Sequence, residues 1–181
     1  MRLFVGIALP ADVRVALGRL CAGLPGARWV DIENMHMTLR FIGDVEPDGA
    51  TELDAALSEI HAPSFEMQLS EIGHFANKSR LRALWAGVAT NPALNHLQGK
   101  VAAATVRAGF APEGRKFTPH VTLARFRGQQ VNLADYLAAN GAFSTAPFAV
   151  EHITLFESHL GHGGAHYIAL NTYPLDGLSH D

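Results

Sequence analysis

The chain has 181 residues, 48% of them hydrophobic and 17% charged, with a formal net charge of −3 and a single cysteine. That length suits one compact domain with a sizeable core. The slight acidic balance excludes a protein that grips long duplexes by their phosphates, and the lone cysteine excludes an intrachain disulfide and fits a reducing cytoplasm.

Arg2–Leu9 is a short apolar run closed by Pro10 and predicts a buried strand. It is too short for a secretory leader, and Asp12 and Arg14 follow at once. No stretch approaches the ~20 apolar residues that span a bilayer. Ala11–Leu24 carries Val13, Leu17, Leu20 and Leu24 at helical spacing, stopped by Pro25-Gly26; Cys21 within it reads as a small core residue. Met35–Ile42 alternates as a strand, and Asp48–His61 is helical with Leu53, Leu57 and Ile60 on one face. Phe65–Ile72 and Arg82–Val88 predict two further strands. Asn91-Pro92 is an N-cap followed by proline at the first helical position, opening a helix that runs to about Ala108 and ends at Gly109. Thr118–Arg125 is a strand, Leu133–Ala139 a short helix, and Phe148–Glu157 and Ala165–Thr172 close the chain as strands.

The order of elements repeats. His36-Met37-Thr38-Leu39 lies in the second predicted strand, and His120-Val121-Thr122-Leu123 lies in its counterpart 84 residues later. The expectation is one bilobal domain over residues 1–181, arisen by duplication with motif copies at 36–39 and 120–123. Paired strands closing each half predict α+β, with two pseudo-symmetric lobes of largely antiparallel sheet flanked by helices around a central cleft. No glycine-rich fingerprint follows the first strand, which argues against a dinucleotide-binding fold.

Residues i and i+2 of a strand share a face, so His36 and Thr38 project together, as do His120 and Thr122, while Met37, Leu39, Val121 and Leu123 point into the core. Two imidazoles and two hydroxyls then surround one cavity, with Arg125 nearby. Opening a cyclic phosphodiester needs a group to take a proton from water and another to give one to the departing sugar oxygen. Histidine titrates near neutral pH and serves either purpose. Threonine hydroxyls and Arg125 suit the non-bridging phosphate oxygens. By the residues alone the pair is symmetric, so which histidine is the acid stays open. Phe41 either faces the cleft, where it would stack on a base, or joins the core.

The two His-x-Thr motifs resemble those that give the 2H phosphoesterase superfamily its name. Within it the chain is similar to the bacterial and archaeal RNA 2′,3′-cyclic phosphodiesterases, also called 2′-5′ RNA ligases. The likeness runs through Arg2-Leu3-Phe4-Val5, Trp29-Val30, His36–Gly43, Phe117–Arg125, Ile153–Ser158 and Tyr167–Leu170. It implies hydrolysis of RNA 2′,3′-cyclic phosphate ends to 2′-phosphomonoesters without metal or cofactor, with reversible 2′-5′ ligation as a secondary activity. It further implies that His120 is the proton acceptor, that His36 is the proton donor, and that Thr38, Thr122 and Arg125 hold the phosphate. A cytoplasmic monomer acting on RNA ends or nucleotides is expected, with no membrane partner.

Other features have plainer readings. The basic residues from Arg107 to Arg127 bracket His120 and suggest an anion site rather than only a solvated face. Lys78, Arg80 and Arg82 read as a solvated loop more than as a guide for RNA. His159, His162 and His166 sit among glycines, where no helix aligns them as metal ligands. Competing functions are a phosphodiesterase acting on a 2′-5′ oligoadenylate or small cyclic phosphate, a non-catalytic nucleotide-binding module, and a zinc hydrolase, which the ligand spacing disfavours.

Overall fold

A computed structural model describes residues 1–161 and 163–177. The first half runs β1 (Arg2–Ala8), α1 (Ala11–Gly18), β2 (Arg28–Trp29), a 3-10 turn (Ile32–Asn34), β3 (His36–Asp44), α2 (Pro47–Ser58), β4 (Phe65–Met67) and β5 (Leu69–Asn77). The second runs β6 (Arg80–Val88), α3 (Pro92–Arg107), β7 (His120–Arg125), α4 (Ala134–Asn140), β8 (Phe148–Val150), β9 (His152–Gly161) and β10 (Gly164–Pro174). The fold is α+β and bilobal. One lobe holds β10-β9-β1-β3 and the other β7-β6-β5, with β2 beside β7. Every named ladder is antiparallel.

The lobes are joined into one sheet at β3 and β7, where Met37 faces Val121. These are matching positions of the two motifs. Matching residues paired antiparallel mark a local two-fold axis, so the motifs meet where the sheet crosses from one lobe to the other. The halves also exchange strands: β5 pairs with β6 in the lobe of β7, and β9 pairs with β1 in the lobe of β3. β4 and β8 form a separate two-stranded ladder.

That small ladder corrects two predicted strands. Phe65–Ile72 and Phe148–Glu157 each break, at Gln68 and at Glu151, because each run leaves the small sheet and enters the large one. Alternation continues across both breaks and hides them. The helix predicted over Ala11–Leu24 ends at Gly18; Leu20 and Leu24 are still buried, but on tight turns, with Leu20 N–H and Cys21 N–H donating three residues back. β7 starts at His120 rather than Thr118, since Pro119 has no N–H for a ladder. The two-residue β2 is too short to leave a pattern. α3 is as predicted: Asn91 Oδ1 accepts from Leu94 N–H at 3.0 Å, and Gly109 leaves the helix at φ +99.

Each motif strand carries an extra residue. Val5 pairs with Arg40 and Gly6 with Thr38, so Leu39 is surplus; Leu84 pairs with Ala124 and Trp85 with Thr122, so Leu123 is surplus. A bulge turns two successive side chains inward and re-aims the next one. Leu39 with Arg40, and Leu123 with Ala124, are all buried, and Phe41 and Arg125 return to the cleft side. Strict alternation would have sent both inward. The terminal nitrogens of Arg40 donate to the Phe41 carbonyl at 2.8 Å, to the Ala111 carbonyl and to Glu113 Oε2 at 3.4 Å, while its Nε is buried with no partner among the described residues; these bonds tie the segment before β7 to β3.

Candidate active site

His36, Thr38, Phe41, His120, Thr122 and Arg125 line one cleft of about 510 Å³ between the lobes. The core residues Met37, Leu39, Val121 and Leu123 are at most 3% exposed on the opposite face, as alternation predicts.

Both imidazoles are held alike. His36 Nδ1–H donates to the Asn34 carbonyl at 2.7 Å and His120 Nδ1–H to the Thr118 carbonyl at 2.6 Å. A carbonyl only accepts, so the proton of each neutral ring sits on Nδ1 and the lone pair on Nε2. The acceptors lie two residues before each histidine, again 84 apart. The Nε2 atoms differ. That of His36 accepts from Thr38 Oγ1–H at 2.9 Å, whereas that of His120 has no hydrogen bond among the described residues.

The histidines sit in aromatic surroundings that the motif did not reveal. Phe4 stacks on His36 at 4.7 Å, with Tyr167 edge-on at 5.1 Å and Phe156 at 5.9 Å. Phe75 meets His120 edge-on at 5.1 Å and Trp85 lies 5.7 Å away. The ladders equate Phe4 with Ala83 and Gly6 with Trp85, so bulk is exchanged between neighbouring positions across the two lobes. The signal for Phe4 was the alternation of Arg2, Phe4 and Gly6 with Leu3, Val5 and Ile7. The wholly apolar look of the strand masked it, because Phe4 is itself only 4% exposed beneath the histidine ring.

Burial pulls both histidines below their usual pKa of 6.5 by penalising the imidazolium. The backbone acceptors oppose this, and the Arg125 guanidinium adds to it at both rings; at His36 the charge of His120 contributes as well. The two rings and Arg125 are therefore electrostatically one site, which an anion would relieve. Phe41 is 43% exposed, and the Arg2 guanidinium lies 5.2 Å from its ring centroid.

The anion site suggested by the basic run narrows to one residue. Of the five cations only Arg125 lines the cleft. Arg107 ends α3, where a cation suits the helix dipole, and borders a groove with His96 and Lys100. Arg115 borders another, with Val106 and Phe117. The expected solvated loop at Lys78, Arg80 and Arg82 holds only for Lys78, which with Ser79 forms the β5–β6 turn at positive φ; Arg80 and Arg82 belong to β6, and Arg80 donates to the Gly128 carbonyl at 3.2 Å. Cys21 is half-buried, donates its thiol to the Leu17 carbonyl at 3.5 Å and has its pKa raised by burial, consistent with a packing role. His159 contacts Glu157 and pairs across the ladder with His166; His162 lies outside the described residues. No group of three His, Cys, Asp or Glu side chains suited to a metal occurs among the described residues. None of the helices described is long and apolar enough to cross a membrane.

Comparison with known proteins adds the same two-part pattern. The family model described as "LigT like Phosphoesterase" matches the chain twice, over residues 7–85 and 88–167. An RNA 2′,3′-cyclic phosphodiesterase of Aeropyrum pernix is 34% identical over 151 residues, covering 82% of this chain and 85% of that protein. One of Geobacillus stearothermophilus is 32% identical over 164 residues, covering 87% of this chain; the match spans about half (52%) of that longer relative. Among solved structures, Escherichia coli LigT complexed with 3′-AMP superposes with a TM-score of 0.82 at 28% identity, covering 96% of this chain and 97% of that one. With a family model matched across both halves and the fold shared, the chain belongs to the LigT-like phosphoesterase family.

Proposed function

We propose that this protein hydrolyses RNA 2′,3′-cyclic phosphate ends to 2′-phosphomonoesters, using His120 as proton acceptor and His36 as proton donor. The observation that carries this is the pair of imidazoles, both pinned at Nδ1, in one cleft with Arg125. Water attacks phosphorus as His120 Nε2 takes its proton. The P–O3′ bond breaks, and His36 Nε2–H delivers a proton to O3′. The unengaged Nε2 of His120 suits the acceptor. The bond from Thr38 to His36 reverses when His36 is charged, which frees the threonine hydroxyl to donate to phosphate. Thr122 and Arg125 take the remaining non-bridging oxygens. Phe41 offers a stacking face for the terminal base.

The substrate class is supported by relatives that bear this activity in their names and by a LigT structure holding 3′-AMP. A 5′-hydroxyl in place of water would give a 2′-5′ linkage by the same proton transfers. Among the described residues the cleft lining contains histidine, threonine and arginine but no carboxylate, which suits a reaction without metal. Its completeness within one chain supports action as a monomer. One cysteine in the whole sequence supports a cytoplasmic setting. The doubled family match and the local two-fold at Met37 and Val121 support descent by duplication within a single domain.

The test is incubation of the protein, in EDTA, with a short RNA ending in a 2′,3′-cyclic phosphate, followed by assignment of the product phosphate. A 2′-phosphate that is lost in His36→Ala is the expected result. A 3′-phosphate would overturn the polarity, and turnover abolished by EDTA would overturn the metal-free chemistry.

A further inference from the structure

The cleft contains a second cation that phosphate-ring chemistry does not use. Arg2 lies on the cleft side of β1, in alternation with Phe4 and Gly6, and lines the same cavity as the histidines. Its guanidinium covers one face of Phe41 at 5.2 Å. Among the described residues it has no carboxylate within salt-bridge distance and no side-chain hydrogen bond. An arginine fork whose side-chain donors are unengaged and which rests over an aromatic ring is a ready phosphate receptor.

Its position selects which phosphate. Gly6 borders His36, where a Cβ on the glycine would lie 3.5 Å from the ring, and Arg2 is four residues further along the strand, about 13 Å at strand rise. That backbone separation sets Arg2 apart from the scissile phosphorus, which Arg125 serves, and its guanidinium stands instead at the Phe41 ring. Because the guanidinium already covers one face of Phe41, a terminal base would stack on the other, which leaves the donors of Arg2 beside that nucleotide and free to take a phosphate other than the scissile one. Ser158, paired with Arg2 across the ladder, also lines the cleft there.

Resting on the proposed RNA cyclic phosphodiesterase reading, we propose that Arg2 forms a second phosphate subsite. It receives the phosphate on O5′ of the terminal nucleoside, so the protein prefers RNA ends to isolated nucleoside cyclic phosphates. That O5′ phosphate is an internucleotide diester in RNA or a monoester in a 5′-phosphorylated nucleotide, and the chemistry recognised is common to both.

The test compares kcat/KM for adenosine 2′,3′-cyclic phosphate, its 5′-phosphorylated form and the dinucleotide ApA ending in 2′,3′-cyclic phosphate. The wild-type protein should favour both phosphate-bearing substrates over the bare nucleoside by on the order of tenfold, chiefly through KM. Arg2→Gln should collapse that ratio, Arg2→Lys should restore part of it, and the salt dependence for the dinucleotide should fall by about one charge. A preference for the dinucleotide alone would assign the subsite to the diester; equal preference would assign it to any O5′ phosphate. Equal wild-type rates on all three substrates, or an Arg2→Gln loss shared equally by all three, would overturn the subsite. Failure of the wild-type protein to open any of the three would instead bring down the underlying function.

Discussion

The two lobes present the same backbone with different chemistry. Each contributes a His-x-Thr pair, a carbonyl that fixes Nδ1 and a bulge after the second motif residue. The residue re-aimed by that bulge is Phe41 in one lobe and Arg125 in the other. One lobe thus offers an apolar face and the other a charge, at positions related by the local two-fold. The lesson is that a symmetric frame makes paired geometry available, and single substitutions on it assign the tasks.

The largest effects should come from the shared part. His120→Ala and His36→Ala should each lower kcat by a factor on the order of 10²–10⁴, and their combination by little more, because acid and base act in one step. Additive losses measured in steady-state kinetics would mean that the lobes work independently. Next, the bulge positions should separate: Arg125→Ala should cost about 10²-fold in kcat, whereas Phe41→Ala should raise KM by about tenfold with kcat far less affected. If both changed the same parameter, the division between charge and stacking face would fail.

The pH profile sharpens the comparison further. Burial holds both free histidines below 6.5, so the bell of kcat/KM, which reports the free enzyme, should have its maximum on the acid side of that value. A bound phosphate anion favours both imidazolium forms and offsets Arg125, so the bell of kcat should move to higher pH. Thr38→Val should displace the basic limb, which follows the donor His36, and Thr122→Val should leave both limbs in place while lowering kcat. The smallest effect concerns stability. Arg40→Met leaves Glu113 and two carbonyls without their donor and should cost about 2 kcal/mol in urea unfolding, with kinetics little changed.

Much of this site was legible because strands encode faces in their period. His36, Thr38, His120 and Thr122 could be grouped from spacing alone, and the repeat implied that the groups meet. Arg125 and Phe41 were harder, since period two sends them into the core; only pairing with Gly6 and Trp85 reveals the surplus leucines that turn them back. Backbone acceptors carry no side-chain identity, so nothing at Asn34 or Thr118 announced them. The aromatic surroundings come from β1, β5, β6, β9 and β10, elements far apart in the chain, and no local pattern links them. The split of Phe65–Ile72 escaped for a related reason: its alternation is continuous while its partners change.

The exchange of closing strands carries a consequence for how damage spreads. Phe75 belongs to the first half of the chain but rests against the histidine of the second, and Phe156 does the converse. Cutting between β5 and β6 would give two fragments, each stripped of the neighbour that completes its sheet, so neither is a portable unit. A lesion in one half is accordingly felt at the other half's proton carrier, and the molecule is interlocked in the way a clasp is: each side is closed by a piece belonging to the other.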